Sequence, residues 1–237
     1  MRLELSPDLR MQKLSIGSEK APLLVIDNFV KDPEQLIRPV ASKAFIRTAR
    51  FFPGVRAKAP LTYRQFVIDQ LQDELLQFFQ LDDDSLRFSM CHYSLVTTPP
   101  HELVMVQRVP HVDSVDEGLA SIHYLFKKGH GGTAFYKHRR TGFECIDLSR
   151  RDLYLKTLDE EVRGPNSPEP AYINGDTPLF EQVEKQDGVF NRILFYRRNS
   201  LHSGSIEKDF VPDGNPLTGR LSINSFIDAG PFIGMYG

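Results

Sequence analysis

The 237-residue chain lacks most features that mark specialised protein classes. It holds two cysteines, Cys91 and Cys145, which cannot build a disulfide framework and form no C-x-x-C pair. No apolar run approaches the roughly 18–20 residues of a membrane span, and the N-terminal segment lacks the apolar core of a signal peptide. The formal net charge is −2, so there is no basic excess for nucleic acid. We expect a cytoplasmic protein that binds neither nucleic acid nor membrane.

The composition is that of an ordinary globular protein, with 41% hydrophobic and 25% charged residues. A chain of this length buries roughly 70–75% of the surface that its unfolded form exposes. We expect residues 1–237 to form a single domain. Residues 1–85 are predicted to be a mainly helical support, and residues 86–228 a core with an insertion at about 147–188.

The first third shows two helical patterns and one strand, at 23–26. In the first helix, Asp32 is a suitable N-cap, Pro33 suits the first helical position and Gln35 completes a capping box. Pro39 should kink this helix or confine its start. The second helix is predicted to begin after Thr62 and to end at 82–85. The Pro-Gly and Pro residues between the helices, at 50–60, indicate a loop.

Beyond residue 86 the chain becomes a series of short apolar and aromatic segments separated by turn residues. This pattern is typical of a sandwich or barrel, and it predicts a mainly β protein with flanking helices. The predicted strands are 87–97, 103–109, 119–126, 131–138, 192–198 and 220–227. The insertion is predicted to hold a helix at 151–162, and it forms either a wall of the site or a surface excursion without function.

The segment RVPHVDSVD places His111 and Asp113 two residues apart. If this segment is a strand, the two side chains share one face, because side chains alternate along a strand. An imidazole and a carboxylate on one face supply two ligands of a divalent metal. A more distant His202, followed by small residues, is the candidate for the third ligand. Two His and one carboxylate form the facial triad of non-haem Fe(II) oxygenases, which leaves coordination positions open.

Arg220 follows His202 by 18 residues, at the start of the next predicted strand. Its planar guanidinium suits a carboxylate, so it is the candidate ligand for a dicarboxylate cosubstrate that also chelates the metal. Ser222 would share its face. Arg192, Arg197 and Arg198 compete with Arg220 for this role.

Several segments together resemble the Fe(II)/2-oxoglutarate-dependent dioxygenase superfamily, nearest to its prolyl-hydroxylase-like branch. PHVD is similar to the metal motif of that branch, and IHYLFKKGHGGTAFY is similar to its segment with a Tyr-Leu pair and a Gly-Gly pair. FYRRNSLHSGSI is similar to the strand that carries the distal His, and GRLSINSFI is similar to the strand that carries the basic residue for 2-oxoglutarate. VIDNFVKDPEQL resembles the opening of such domains. The chain departs from the pattern in its long 133–188 region and in a lengthened gap between His202 and Arg220.

The resemblance implies a double-stranded β-helix, the cupin-like jelly roll. It implies Fe(II) held by His111, Asp113 and His202, with 2-oxoglutarate as cosubstrate held by Arg220 and by Tyr124 of the Tyr-Leu pair. Tyr93 is an alternative to Tyr124. The implied reaction couples oxidative decarboxylation of 2-oxoglutarate to hydroxylation of a small-molecule or peptide substrate, which the sequence does not identify.

Two other functions fit the same residues. A fold can be retained after its catalytic activity is lost, so the chain could bind a ligand without turnover. Two His, one carboxylate and a water also make a catalytic zinc site, which would be that of a hydrolase. That second function leaves Arg220 unexplained. The sequence does not indicate an oligomeric state.

Overall fold

Ten strands and three α-helices make up the described part of the chain. The computed structural model describes residues 2–47, 51–83, 85–127 and 129–230. The strands are β1 Arg10–Ile16, β2 Ala21–Asp27, β3 Gly54–Lys58, β4 Leu86–Val96, β5 Leu119–Tyr124, β6 Gly132–His138, β7 Phe180–Gln186, β8 Ile193–Arg197, β9 His202–Ser205 and β10 Leu221–Ala229. The helices are α1 Glu34–Ile37, α2 Leu61–Phe79 and α3 Leu148–Val162.

The strands form two antiparallel sheets. The major sheet has seven strands in the order β1-β2-β8-β5-β10-β4-β3, and the minor sheet has three in the order β7-β6-β9. The two sheets pack face to face, as the rings of Phe135 and Tyr196 show with centroids 5.2 Å apart. This arrangement confirms the predicted mainly β jelly roll with flanking helices.

Alternation along the strands gives the major sheet two different faces. One face packs against α1 and α2, with Tyr93 and Ile223 of the sheet meeting residues such as Tyr63 of α2. The other face looks into the space between the sheets and holds Tyr124 and Tyr196. Because neighbouring residues of a strand point to opposite faces, the chain can line a site on one face while it packs helices on the other.

Five of the six predicted strands are present as β4, β5, β6, β8 and β10. The prediction of a strand at 103–109 is wrong, because two 3₁₀ turns, Pro100–Glu102 and Met105–Gln107, occupy this region. The side chain of Gln107 accepts a hydrogen bond from the Val104 N–H. This local bond satisfies a backbone group that a strand would pair with a neighbouring strand.

The prediction of a mainly helical first third needs correction. β1 and β3 were not predicted, and β3 lies inside the segment that was expected to be a loop. β1 was missed because it lies at the sheet edge and buries little of its surface, so its apolar residues are sparse. β3 was missed because Pro53 and Gly54 dominate its local signal.

The first predicted helix is short. α1 ends at Ile37 and continues as a 3₁₀ helix, Arg38–Ser42, where Pro39 has no N–H for an α-helical bond. Asp32 does not cap α1 with its side chain; Pro33 stands at the N-cap position. α2 begins at Leu61, close to the prediction, but ends at Phe79, where Gln80 adopts a left-handed conformation with φ of 49°.

The 147–188 insertion is built into the fold. α3 begins after Asp147, whose side chain accepts a hydrogen bond from the Arg150 N–H and so caps the helix. The last part of the insertion, β7, pairs with β6 and extends the minor sheet. Among the described residues, no helix combines the length and apolar character that crossing a bilayer would require.

Candidate metal and cosubstrate site

His111 extends the edge of the minor sheet beside His202. The two residues form an isolated antiparallel bridge, in which each backbone N–H donates to the carbonyl of the other at 2.9 Å. The predicted strand around His111 is thus reduced to a single bridge. This bridge still sets the two imidazoles side by side, with ring centroids 4.5 Å apart.

Asp113 completes a three-residue cluster. Its backbone N–H donates to the carbonyl of Arg198 at 2.9 Å, which fixes the chain after the bridge. Its Oδ1 lies 3.8 Å from Nε2 of His111, and its Oδ2 lies 3.5 Å from Nε2 of His202. One ligand atom from each of the three residues lies within 4.8 Å of the others.

The ring of His202 is held in one orientation. Its Nδ1 lies 2.9 Å from the carbonyl oxygen of Ser200, so Nδ1 carries the proton and donates it. The ring is buried against Tyr196, at a centroid distance of 4.7 Å. Nδ1 is thereby occupied, and Nε2 is the nitrogen that faces Asp113. A backbone carbonyl on the far nitrogen is the support that metal-ligating histidines usually have.

His111 is neutral at physiological pH. Although 47% of its side chain is exposed, desolvation by the surrounding protein and the neighbouring His202 lower its pKa to about 4. The Asp113 carboxylate raises the pKa of His111, but by less than these two effects lower it. A neutral imidazole is the form that binds a metal, so His111 can serve as a ligand without first losing a proton.

The donor set fits a divalent transition metal. Two imidazole nitrogens and a carboxylate oxygen converge from one side. This is the arrangement of the 2-His-1-carboxylate triad, in which the remaining positions are open to other ligands. The structure thus brings together the three predicted ligands, and it does so through the bridge between His111 and His202 rather than through a regular strand.

Arg220 is a buried cation without an anionic partner among the described residues. Its side chain is almost entirely buried, and Nε and one terminal nitrogen each donate to a backbone carbonyl, of His130 and Gly132, at 2.8 Å. Burial lowers its pKa. Carbonyl oxygens carry only partial charge, and a buried guanidinium is stabilised far better by a carboxylate. Arg220 therefore has the environment of an anion-binding residue.

Tyr124 lies close to Arg220 in the same interior space. Its hydroxyl donates to Oγ1 of Thr133 at 2.7 Å and so joins the two sheets. Burial raises its pKa to about 12, against the smaller lowering effects of Thr133 and Arg220. Tyr124 pairs in register with Ser222 on β10. Tyr124 and Ser222 are thus cross-strand neighbours on the interior face of the sheet. Ser222 lies two residues after Arg220 in the chain.

The competing residues are engaged elsewhere. Arg192 forms a bidentate pair with Asp27, at 2.6 and 3.0 Å. Arg198 donates to Asp228 at 2.6 Å, and Arg197 donates to the carbonyl of Glu117 at 2.6 Å.

Two other side chains considered from the sequence also lie away from the interior face. The hydroxyl of Tyr93 donates to the carbonyl of Leu36 at 2.7 Å, on the helix-covered face of the major sheet. His123 also lies on that face, as its position next to Tyr124 predicts, and contacts Tyr63.

Residues that the sequence did not single out also surround this space. Tyr172, from the insertion, packs with Val96 and Ile206, and the N–H of Val96 donates to the carbonyl of Arg220 at 3.4 Å. Its hydroxyl donates to the carbonyl of Thr98 at 2.7 Å. No motif marks Tyr172, so only the fold reveals that the insertion lines the interior.

The comparisons with known proteins agree with this fold. The chain belongs to the family of unknown function DUF6445, whose model matches residues 7–227. No curated protein matches it in sequence.

Several solved structures are similar to this chain. HygX from Streptomyces hygroscopicus, with nickel and 2-oxoglutarate bound, superposes with a TM-score of 0.51 over 89% of this chain and 84% of HygX, at 11% identity. The α-ketoglutarate-dependent non-haem epimerase SnoN of nogalamycin biosynthesis gives 0.46 over 83% and 70%, at 12% identity. A Pseudomonas putida prolyl-4-hydroxylase gives 0.36 over 84% and 100%, at 12% identity. The similarity to HygX shows a shared fold.

Proposed function

We propose that the protein is an Fe(II)/2-oxoglutarate-dependent oxygenase that acts on a small molecule or a peptide. The observation that carries this proposal is the combination of two features that meet at β9, where a Cβ added at Gly204, two residues after His202, would lie 3.8 Å from a terminal nitrogen of Arg220. One is the cluster of His111, Asp113 and His202, and the other is the buried guanidinium of Arg220, which has no carboxylate partner in the described ranges of the chain. A metal site alone would fit many reactions.

Different residues would bind the metal and the cosubstrate. His111, Asp113 and His202 would hold the metal, and the bond from His202 to the Ser200 carbonyl keeps the ring in its binding orientation. An Fe(II) ion held there would supply the oxygen chemistry that protein side chains lack. Arg220 would bind the distal carboxylate of 2-oxoglutarate, with Tyr124 and Ser222 beside it.

The protein itself contributes orientation and exclusion of water. Arg220 is fixed by its two carbonyl acceptors before any ligand arrives, so little side-chain entropy is lost when the carboxylate binds. The buried ring of Tyr196 and the side chain of Phe135 pack around His202. This apolar surround restricts water to the open side of the site.

Arg220 also favours the oxygenase over the zinc hydrolase. A hydrolase with the same three ligands needs a metal-bound water and no second anion site. HygX, which shares the fold, has nickel and 2-oxoglutarate bound in its structure. The similarity supports a 2-oxoglutarate site on this fold, and Arg220 gives this chain a residue suited to it.

Succinate formation tests the proposal. The purified protein is incubated in air with Fe(II), ascorbate and 2-oxoglutarate, and succinate is measured by mass spectrometry. We expect slow turnover without substrate in the wild type and in His101→Ala, whose exposed imidazole lies outside the cluster. We expect none in His202→Ala. Absence of succinate in the iron-loaded wild type, across a broad substrate panel, would contradict the proposal.

A further inference from the structure

The interior face of the major sheet has an apolar half and a polar half. On β2, β5 and β8 this face carries apolar side chains of the interior cluster. On β3, β4 and β10 it carries a strip of polar side chains beside apolar ones such as Val96 and Phe226. Arg56 pairs in register with Ser94, which pairs with Ser222. One step along the strands, His92 pairs with Asn224. A closed hydrophobic core would not keep such a polar strip, because buried polar groups without partners are costly.

Three members of this polar strip have side-chain atoms without a hydrogen-bond partner. These atoms are Oγ of Ser94, Nε of Arg56 and Nδ1 of His92, each buried. Ser94 itself is fully buried. Three unsatisfied groups on adjacent positions of one face form a set of donors and acceptors that a ligand could engage together.

Arg56 is the charged member of the set, and its backbone is rigidly placed. Its N–H donates to the Ile46 carbonyl at 2.8 Å, and its carbonyl accepts from the Ile46 N–H at 2.9 Å. The guanidinium lies 4.4 Å from the centre of the Phe52 ring. It makes no ion pair among the described residues, although its charge reaches His111 and Asp113. An oriented cation without an ion pair among the described residues therefore lies within electrostatic range of the proposed metal ligands.

The surroundings of Arg56 are partly apolar. Phe52 packs against a small cluster that holds Val96, Tyr172 and Phe210. Through Tyr172, the insertion forms part of this apolar surface. A ligand at Arg56 would thus meet a cation and two polar groups on one side, and aromatic and aliphatic surface on the other.

We infer that Arg56 and Ser94 form the substrate subsite, and that the substrate carries a carboxylate or phosphate group next to an apolar body. This inference rests on the proposed function, because it places the substrate beside the proposed metal ligands. The subsite is separate from that for 2-oxoglutarate, since β4 lies between β3, which carries Arg56, and β10, which follows Arg220. Arg56 and Arg220 would hold two different anions.

The test uses the Ni(II)-loaded protein saturated with 2-oxoglutarate, so that Arg220 is engaged. Benzoate, phenyl phosphate and the neutral benzamide are titrated in by calorimetry. We expect at least one of the two anions to bind ten times or more tightly than benzamide. Arg56→Gln should remove this preference, Arg56→Lys should keep part of it, and Arg151→Gln, an exposed control on α3, should leave it unchanged. The stronger of the two anions identifies carboxylate or phosphate.

Three results would overturn the inference. The first is equal binding of the anions and benzamide to the wild type, and the second is an anion preference that survives in Arg56→Gln. The third is a loss of more than tenfold in Ni(II) affinity in Arg56→Gln, since Arg56 would then support the metal ligand Asp113 rather than a substrate. If the wild type binds neither Ni(II) nor 2-oxoglutarate, the proposed function fails. The same titrations on the metal-free protein then decide whether Arg56 selects anions.

Discussion

Arg220→Gln should separate ligand affinity from stability. Arg220 donates two charge-assisted bonds to carbonyl oxygens, each worth about 1.5–3 kcal/mol. Against these stands the desolvation of a buried cation, an effective penalty of several kcal/mol. The two contributions nearly cancel, so we expect the free energy of unfolding without ligand to change by no more than about 1 kcal/mol. For a chain of this size the melting temperature would move by about 4 °C at most.

The affinity for 2-oxoglutarate should change much more. Truncating one partner of a buried, hydrogen-bonded charge pair costs roughly 2–5 kcal/mol, which is a loss of about 30- to 5,000-fold in affinity. The assay is calorimetric titration of 2-oxoglutarate into Mn(II)-loaded protein, with thermal unfolding measured on the same samples. At 100 times the wild-type dissociation constant, 2-oxoglutarate should stabilise the wild type by about 2.7 kcal/mol and the variant by no more than about 0.9 kcal/mol.

Arg192→Gln is the matched control, because Arg192, unlike Arg220, already has a carboxylate partner among the described residues. It is paired with Asp27 by two bonds, so its loss leaves a partly buried carboxylate without its partner. We expect about 2 kcal/mol of destabilisation and an affinity for 2-oxoglutarate within about threefold of the wild type. If Arg192→Gln loses the affinity while Arg220→Gln keeps it, the assignment of the anion site is refuted.

Three further predictions concern the metal, pH and the backbone. Asp113→Asn should weaken Mn(II) binding by more than about 100-fold in calorimetry, since it removes the charged ligand; unchanged affinity would exclude Asp113 from the site. His123 is buried, and desolvation lowers its pKa from 6.5 to about 4. The unfolded chain therefore takes up this proton first, and stability is lost as pH falls from 6.5 toward 4. Urea unfolding should show about 2 kcal/mol less stability at pH 5 than at pH 7.5 from this group, and His123→Gln should flatten that slope. At Gly131, with φ of 73°, an added Cβ would lie 1.9 Å from the carbonyl oxygen of Ser205. Gly131→Ala should cost more than about 2 kcal/mol, whereas Gly142→Ala, with φ of 74° and open space, should cost about 1; equal costs would contradict the steric argument.

The sequence predicts the strands that are long, apolar and well separated by turns. β4, β5, β6, β8 and β10 belong to this group, and they supply the interior face of the site. It does not predict β1, which lies at the sheet edge and has only one buried residue, or β3, whose first residue is the glycine of a Pro-Gly pair. Local pattern also mistakes 103–109 for a strand, because a side-chain bond to Val104 decides that conformation.

The candidate ligands follow from spacing and order, but their surroundings do not. His111 and Asp113 are visible in the sequence as a pair, and His202 as a lone His after an apolar strand. That Tyr172 packs with Val96 and Ile206, and that Arg56 shares a face with Ser94 and Ser222, depends on contacts between residues far apart in the chain. Such contacts are set by the pairing of the sheets, which no local pattern contains. The bond between Ser200 and His202 is local, but it depends on a backbone conformation that the residue types alone do not specify.

An anaerobic titration with Fe(II) and 2-oxoglutarate tests the central claim most directly. The visible metal-to-ligand charge-transfer band is followed in the wild type, His111→Ala and Arg220→Ala. We predict a saturable band in the wild type, none in His111→Ala, and a band in Arg220→Ala that needs far more 2-oxoglutarate. A folded, iron-loaded wild type that gives no band, or a band that both variants retain unchanged, would contradict the account.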